Sequence, residues 1–495
     1  MIKTRFSVVV LSLLLFVGNF HAFGAKGNWY IGDWVSWSNF RYVTSVASDF
    51  KYLYFGTTGG VMRFNKFMRN FEDPWTTSDG LANNWVVRLY YDQPKDEVVI
   101  DTKGGISRYN LTFQKWYAGG EYAAMASNNF LPPDKYRKFF LDVGYSFVPG
   151  SDYIQDNYLQ QFPVVFGYNE DNDNVWLATW GLGLALGNSL TGQMRFLNYG
   201  LDEKNVRSIY IDGQILYLGG VGFGSQAKGV TKFNRQDNSW EYWEPISNFN
   251  FYSADANVIA GDSAFIWIGT TSGLVRYSKK EKQFRTYTRS WGLWENEITA
   301  LKSDGKRLWV GTTRGLNVKE PGSDTLIKVE LPGLSRIEVR TIEIDSSLIW
   351  VGTDQGVFKL DLQDKSREKF VDPYGVVNSR VNCIVKSGDQ IWFASRQGIL
   401  MYDTKQNQYK VYSQGVDIPG GEVLQIAVHP YAVWAATTGG AAKLDRSNNV
   451  WYLYTEFDGL LNNYVKTVVL EKDYVWFGTP EGLTRFHWYV PGRIE

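Results

Sequence analysis

Cysteine is nearly missing from this chain. Cys383 stands alone among 495 residues, which excludes an intrachain disulfide and a thiolate zinc site. Histidine is almost as scarce: His21 lies near the N-terminus, and the other two, His429 and His487, have no nucleophile partner recognisable in sequence. Neither charge sign is in surplus, with 51 Lys and Arg against 51 Asp and Glu. Nucleic acid is therefore excluded as a partner, because phosphate neutralisation needs clustered excess cations. Beyond the N-terminus no stretch holds eighteen consecutive apolar residues, so no membrane span is expected there.

The N-terminus reads as an export signal. Lys3 and Arg5 precede an apolar run from Phe6 to Val17, and Ala22-Phe23-Gly24 supplies the small, any, small pattern of a cleavage site. We place the signal at 1–24 and the mature chain at 25–495, periplasmic or secreted from a bacterium and without stable membrane insertion after cleavage; an uncleaved anchor is the alternative. The lack of disulfides suits a bacterial envelope.

What the sequence has in abundance is aromatic residues, glycine and repetition. One unit recurs ten times: an aromatic-aliphatic-small-Thr run, two variable residues, Gly, an aliphatic residue, then Arg or Lys and an aromatic. Trp267-Ile268-Gly269-Thr270, Trp309-Val310-Gly311-Thr312 and Trp350-Val351-Gly352-Thr353 are clear copies. The turn glycines Gly273, Gly315, Gly356, Gly398, Gly440 and Gly482 are spaced as in a four-stranded antiparallel blade. Alternation of period two and turn residues between runs predict strands throughout. The fold class is thus all-β, a β-propeller of about ten blades. A large ring and a small residue two positions on share one side of a strand, so successive blades interlock closely.

Asp79-Gly80-Leu81-Ala82-Asn83-Asn84-Trp85-Val86, followed by a strand and a run such as Trp267 to Leu274, resembles the two-component regulator propeller repeat. Gly292-Leu293 with Asn296, Gly333-Leu334, and Gly459-Leu460 with Asn462 are related connectors. The resemblance implies a propeller of the kind that serves as the extracytoplasmic sensing part of hybrid histidine kinases, or stands free. With no kinase or receiver segment in this sequence, a free-standing module with a separate membrane signalling partner is the expectation.

Trp29-Tyr30-Ile31 resembles the fourth strand of other periods, so the N-terminal segment is expected to complete the last blade. A single ring of ten is the first expectation; two rings of five, or a 7-plus-3 split, are the alternatives. Three irregularities mark a candidate site: an insertion at about 120–161 before the third blade, Trp180 in place of a small turn residue, and a long Gly-rich turn, 220–229, in the fourth. Trp180 and Phe223 are the expected stacking surfaces for a sugar or peptide, with Tyr145, Tyr153 and Tyr158 closing over them; the bland alternative is that these rings only pack the insertion down. Lys103, Arg314, Asp354, Gln355, Arg396, Gln397 and Glu481, in the turns of other blades, are expected as polar contacts at the channel mouth or as plain solvated turn residues. Asp101 fills a slot that is Gly or Ala elsewhere, and a local ion pair is expected there.

No cofactor, metal site or catalytic residue is assigned. Asn169, Asp171 and Asp173 alternate like calcium ligands but lack the loop Gly and terminal Glu. The reading is a non-catalytic exported propeller that binds a glycan, peptide or protein partner, as a sensory or assembly module. The alternative is a hydrolase or lyase acting through carboxylates or Tyr on the irregular face.

Overall fold

The computed structural model describes residues 32–122, 129–222, 229–245, 250–251, 255–330 and 337–490. The signal at 1–24, Trp29-Tyr30-Ile31, Phe223 and Gly333-Leu334 lie outside the described residues.

The described chain forms ten antiparallel sheets, nine of four strands and one of eight. Each sheet is built on a four-stranded antiparallel meander, the first strand innermost and the fourth outermost, and in all but the tenth those four strands are consecutive in the chain. The interlock is visible at the small residues. A methyl group added to Gly311 would lie 2.6 Å from Val339 Cγ1, the first residue of the next sheet, and one on Gly269 would lie 2.6 Å from Ile298 Cγ2. Only hydrogen fits there. On the same side of the strand the indole fills the remaining space, as where Trp350 meets Phe393 and Tyr402 of the following sheet at 5.5 and 6.5 Å. Cys383 is a buried residue of this packing.

Closure follows the 7-plus-3 alternative. The innermost strands of the fourth to tenth sheets begin at Val206, Ala256, Ile298, Val339, Val381, Val423 and Thr467, and each lies beside the next. The tenth then returns to the fourth. A methyl on Gly478 would lie 2.8 Å from Val206 Cγ1, the same slot used between consecutive sheets elsewhere. Arg235 of the fourth sheet grips Glu471 of the tenth through both guanidinium nitrogens, at 2.6 and 2.8 Å. The single ring of ten therefore gives way to a closed ring of seven beside an arc of three. Repeats that look alike in sequence pack alike with either neighbour, so the pattern alone did not fix the partition.

The N-terminal segment does complete the last sheet. Trp34–Trp37 pairs antiparallel with Gly482–His487 as the fourth strand of the tenth sheet. Trp34 stacks on Phe486 with ring centroids 4.0 Å apart.

In the arc the third sheet packs against the first, with Trp176 at 5.1 Å from Phe55 and 4.7 Å from Phe64. The first packs against the second, where Gly56 faces Val86. The spatial order is thus third, first, second. The second sheet ends the arc, and Asp101 occupies its slot. Arg88 Nε donates to Asp101 Oδ2 at 2.8 Å, the local ion pair expected from the sequence. The far face of the third sheet, Val175, Leu177, Ala185 and Met194, is covered by Tyr136 and Ile154 of the insertion. Two short insertion strands also pair with the inner edge of that sheet.

Two crossovers join ring and arc side by side. Leu201 N–H donates to Ser38 O at 2.9 Å, Asn39 Nδ2 donates to Asp202 O at 2.7 Å, and Arg41 forms a buried ion pair with Asp202. Phe40 packs against Tyr199.

Candidate binding site at the mouth of the ring

In every ring sheet the start of the first strand lies beside the end of the second, so connectors and second turns gather at one end of the ring. The Thr that ends the second strand builds the turn. Thr312 Oγ1 donates to Gly315 O at 3.0 Å and accepts from Arg314 N–H at 3.1 Å. Thr353 does the same for Gly356 and Gln355, Thr479 for Gly482 and Glu481, and Ser395 for Gly398 and Gln397. The positive φ of Gly315 and its counterparts closes each turn. Held this way, Arg314, Asp354, Gln355, Arg396 and Gln397 are exposed and Glu481 half-buried around one rim. Arg314 lies 3.4 Å from Glu295, and Glu481 pairs with Lys204 at 2.7 Å.

A second set of rim residues comes from the first strands. Val339 pairs with Thr353 and Thr341 with Gly352, which leaves Arg340 as the extra residue of a β-bulge. The same slip singles out Arg207, Asn257, Thr299, Asn382 and Leu424. Lys466 stands at the matching place in the tenth sheet, where its N–H reaches Gly478 O. Most of these side chains reach across a seam. Arg207 Nη1 donates to Asn257 Oδ1 at 3.1 Å, Asn257 Nδ2 to Ile298 O at 3.2 Å, Thr299 Oγ1 to Val339 O at 2.5 Å, and Asn382 Nδ2 to Val423 O at 2.8 Å. Gln425 accepts from Val468 N–H at 3.0 Å, and Lys466 Nζ reaches Asn205 Oδ1. Arg340 departs from this belt. It turns to Glu338 at 2.5 Å, and its buried Nε finds no acceptor among the described residues.

The rim charges act on one another's titration. Burial is the main force lowering the Arg340 pKa, and Arg380 and Arg207 add to it against the opposing pull of Glu338. Burial likewise lowers the Lys466 pKa, with Arg207 adding to it and Glu203 opposing. The sequence carried a signal for these residues. Each ring sheet opens with a small or aliphatic residue followed by one extra residue, polar in all but one: Val206-Arg207, Ala256-Asn257, Ile298-Thr299, Val339-Arg340, Val381-Asn382, Val423-Leu424, Val465-Lys466.

The other expected site residues belong to the arc. Lys103 Nζ lies 3.1 Å above the centre of the Trp85 ring, far in the chain from the ring's turns. Trp180, 38% exposed, meets Tyr42 edge-on at 5.3 Å. Tyr145 is half-buried against Phe196 at 4.9 Å, while Tyr153 and Tyr158 are exposed on the insertion. The irregular features thus divide, with the insertion and Trp180 on the arc, while the strands that flank 220–229 belong to the ring. Asp171 accepts from the N–H groups of Asp173 and Asn174, an ordinary turn.

The Asp-Gly-Leu connectors have a structural account. Asp79 accepts from Thr76 N–H at 2.9 Å and Thr76 Oγ1 at 3.2 Å, and Asp458 repeats this with Thr455 at 2.8 and 3.1 Å. A methyl on Gly80 would strike Trp116, and one on Gly459 would strike Trp34, each at 2.6 Å. These twin connectors face each other where arc meets ring, around a cavity of roughly 300 Å³ lined by Trp34, Trp75, Trp116 and Asp79. Ser78 Oγ donates to Gly459 O across it at 2.6 Å. Burial pushes the Asp79 carboxyl up to about 7.

No family model matches the chain, and no curated protein matches it either. Solved structures do. PorZ, a surface component of the type-IX secretion system of Porphyromonas gingivalis, aligns over 90% of this chain and 68% of its own at 16% identity and a TM-score of 0.52. The extracellular domain of the hybrid two-component system BT4673 of B. thetaiotaomicron aligns over 91% and 70%, at 16% identity and a TM-score of 0.48. Virginiamycin B lyase of Staphylococcus aureus covers 57% of this chain and 94% of its own, at 14% identity and a TM-score of 0.46. The likeness to PorZ is one of fold. Among the described residues no helix is long and apolar enough to cross a membrane.

Proposed function

We propose that this chain is an exported, non-catalytic propeller module of the bacterial periplasm or surface that binds a glycan, peptide or protein partner at the rim of its seven-sheet ring. One observation carries the reading: the ring sheets bring their second turns and their first-strand bulges to a single rim, and nearly all the side chains so presented are polar. A rigid scaffold that repeats its backbone and varies only the rim residues is how propellers present recognition surfaces. The Asp-Gly-Leu connectors further support kinship with the two-component regulator propeller repeat, and hence a sensory or assembly role with a separate membrane partner. Trp180, Tyr145, Tyr153 and Tyr158, on the arc, form a secondary candidate surface.

A screen of envelope glycans, peptides and proteins against the full chain and its Arg314→Ala, Arg396→Ala double variant tests the reading. Retention that weakens in the double variant, with the captured molecule chemically unchanged, is the expected result. New reducing ends or unsaturated sugars would replace the binding module with an enzyme, and retention identical in the two proteins would move the site off the rim.

A further inference from the structure

The bulge positions of the seven ring sheets carry three cations, Arg207, Arg340 and Lys466, and no acid. In a ring of seven, the fourth, seventh and tenth sheets set these cations around one axis, and the charge of Arg207 adds to burial and Arg380 in lowering the Arg340 pKa. Arg380 comes in beside them from the connector of the eighth sheet. Among the described residues neither Arg207 nor Lys466 has a carboxylate within ion-pair distance, and each spends a donor on a side-chain amide oxygen instead. The nearby acids are partly committed: Glu338 to Arg340 at 2.5 Å, Glu422 to Asn382 at 3.2 Å with Arg380 at 3.9 Å, and Glu203 to Asn205 N–H at 3.0 Å, while the exposed Asp354 also acts on Arg340. Arg340 still holds its buried Nε without an acceptor.

Like charges drawn together around an axis raise one another's energy, and an anion placed between them reverses the sign of that interaction. Guanidinium groups also match the paired oxygens of carboxylate and phosphate in plane and spacing. We propose that the rim holds a carboxylate or phosphate oxyanion on the ring axis, gripped by Arg207, Arg340 and Lys466. This rests on the rim being the binding site and adds the chemistry of the group it selects.

Isothermal titration of the full chain with inorganic phosphate, glucuronate and glucose tests it. Phosphate or glucuronate is expected to bind saturably, more weakly as salt rises, and glucose is not. Whichever acid binds more tightly identifies the source of the oxyanion. Arg207→Gln and Arg340→Gln should each weaken that binding about tenfold, the loss expected for one charge-assisted contact. Arg195→Gln, which removes an exposed cation of the arc, should leave it unchanged. Arg207 is exposed, so its variant keeps the fold, which thermal unfolding checks. Absence of saturable binding by both acids, or binding equal in wild type and the two arginine variants, overturns the proposal. A partner from the screen above that still binds the Arg207→Gln, Arg340→Gln double variant, but not the Arg314→Ala, Arg396→Ala variant, removes the oxyanion and leaves the rim reading standing.

Discussion

At the scale of single residues, the slot facing the next sheet decides what each repeat tolerates. Gly311→Val forces a side chain into a space closed by Val339 and Ala300, and should lower stability in urea by about 1–3 kcal/mol, the usual cost of overpacking. Asp101→Ala should cost under about 1 kcal/mol, because its ion pair is partly solvated and no sheet interlocks there. Asp79 provides a test by pH. Its folded carboxyl titrates near 7, above the ordinary range, so between about pH 4 and 7 the unfolded chain has lost a proton that the folded chain keeps. The contribution of Asp79 to stability therefore falls as pH rises through that window. Asp79→Asn removes the slope, so denaturation at pH 4.5 and 7.5 should show the variant gaining on wild type at the higher value. The turn residues of the rim were legible because Thr-x-x-Gly fixes their place. The bulge residues were overlooked because a one-residue slip disturbs pairing without breaking the aliphatic pattern.

At the scale of elements, the strands of each sheet follow from alternation and glycine, and the N-terminal segment closes the last sheet as expected, through Trp34–Trp37. Trp29-Tyr30-Ile31 lies outside the described residues; in the next aromatic-aliphatic run, Trp34-Val35-Ser36-Trp37, the first indole lies over Gly459 and stacks on Phe486. Trp34→Ala should therefore destabilise the tenth sheet by about 3–5 kcal/mol, the range for truncating a buried aromatic. Hydrogen exchange should locate the loss in Gly482–His487 and in the partner strand. The role of the insertion was not legible. Its aromatics suit a lid as well as a cover, and only the exposed far face of the third sheet explains why Tyr136 and Ile154 are spent on covering it.

At the scale of the whole molecule, partition into ring and arc escaped the sequence because the interlocking slot is the same for every pair of neighbours. Asp101 was the one hint, since a carboxylate suits only a sheet that no other sheet enters. Scattering from the protein in solution should resolve two unequal lobes. The Arg41–Asp202 pair holds them at the paired crossovers, with Asp202 almost wholly buried. Arg41→Ala leaves that carboxylate without its cation, at a cost of about 3 kcal/mol or more. Protease cleavage within 38–42 or 198–205 and a larger radius of gyration are the expected readouts.

The hydroxyl contact between Ser36 and Thr484, 2.9 Å long, spans 448 positions of sequence. A ribosome adding about 5–20 residues per second makes the latch of the ring roughly twenty seconds to a minute and a half before its keeper exists. Through that interval an edge bearing Trp34 and Trp37 must stay unpaired, in reach of any other strand. Whatever escorts the nascent chain has that one early segment to guard.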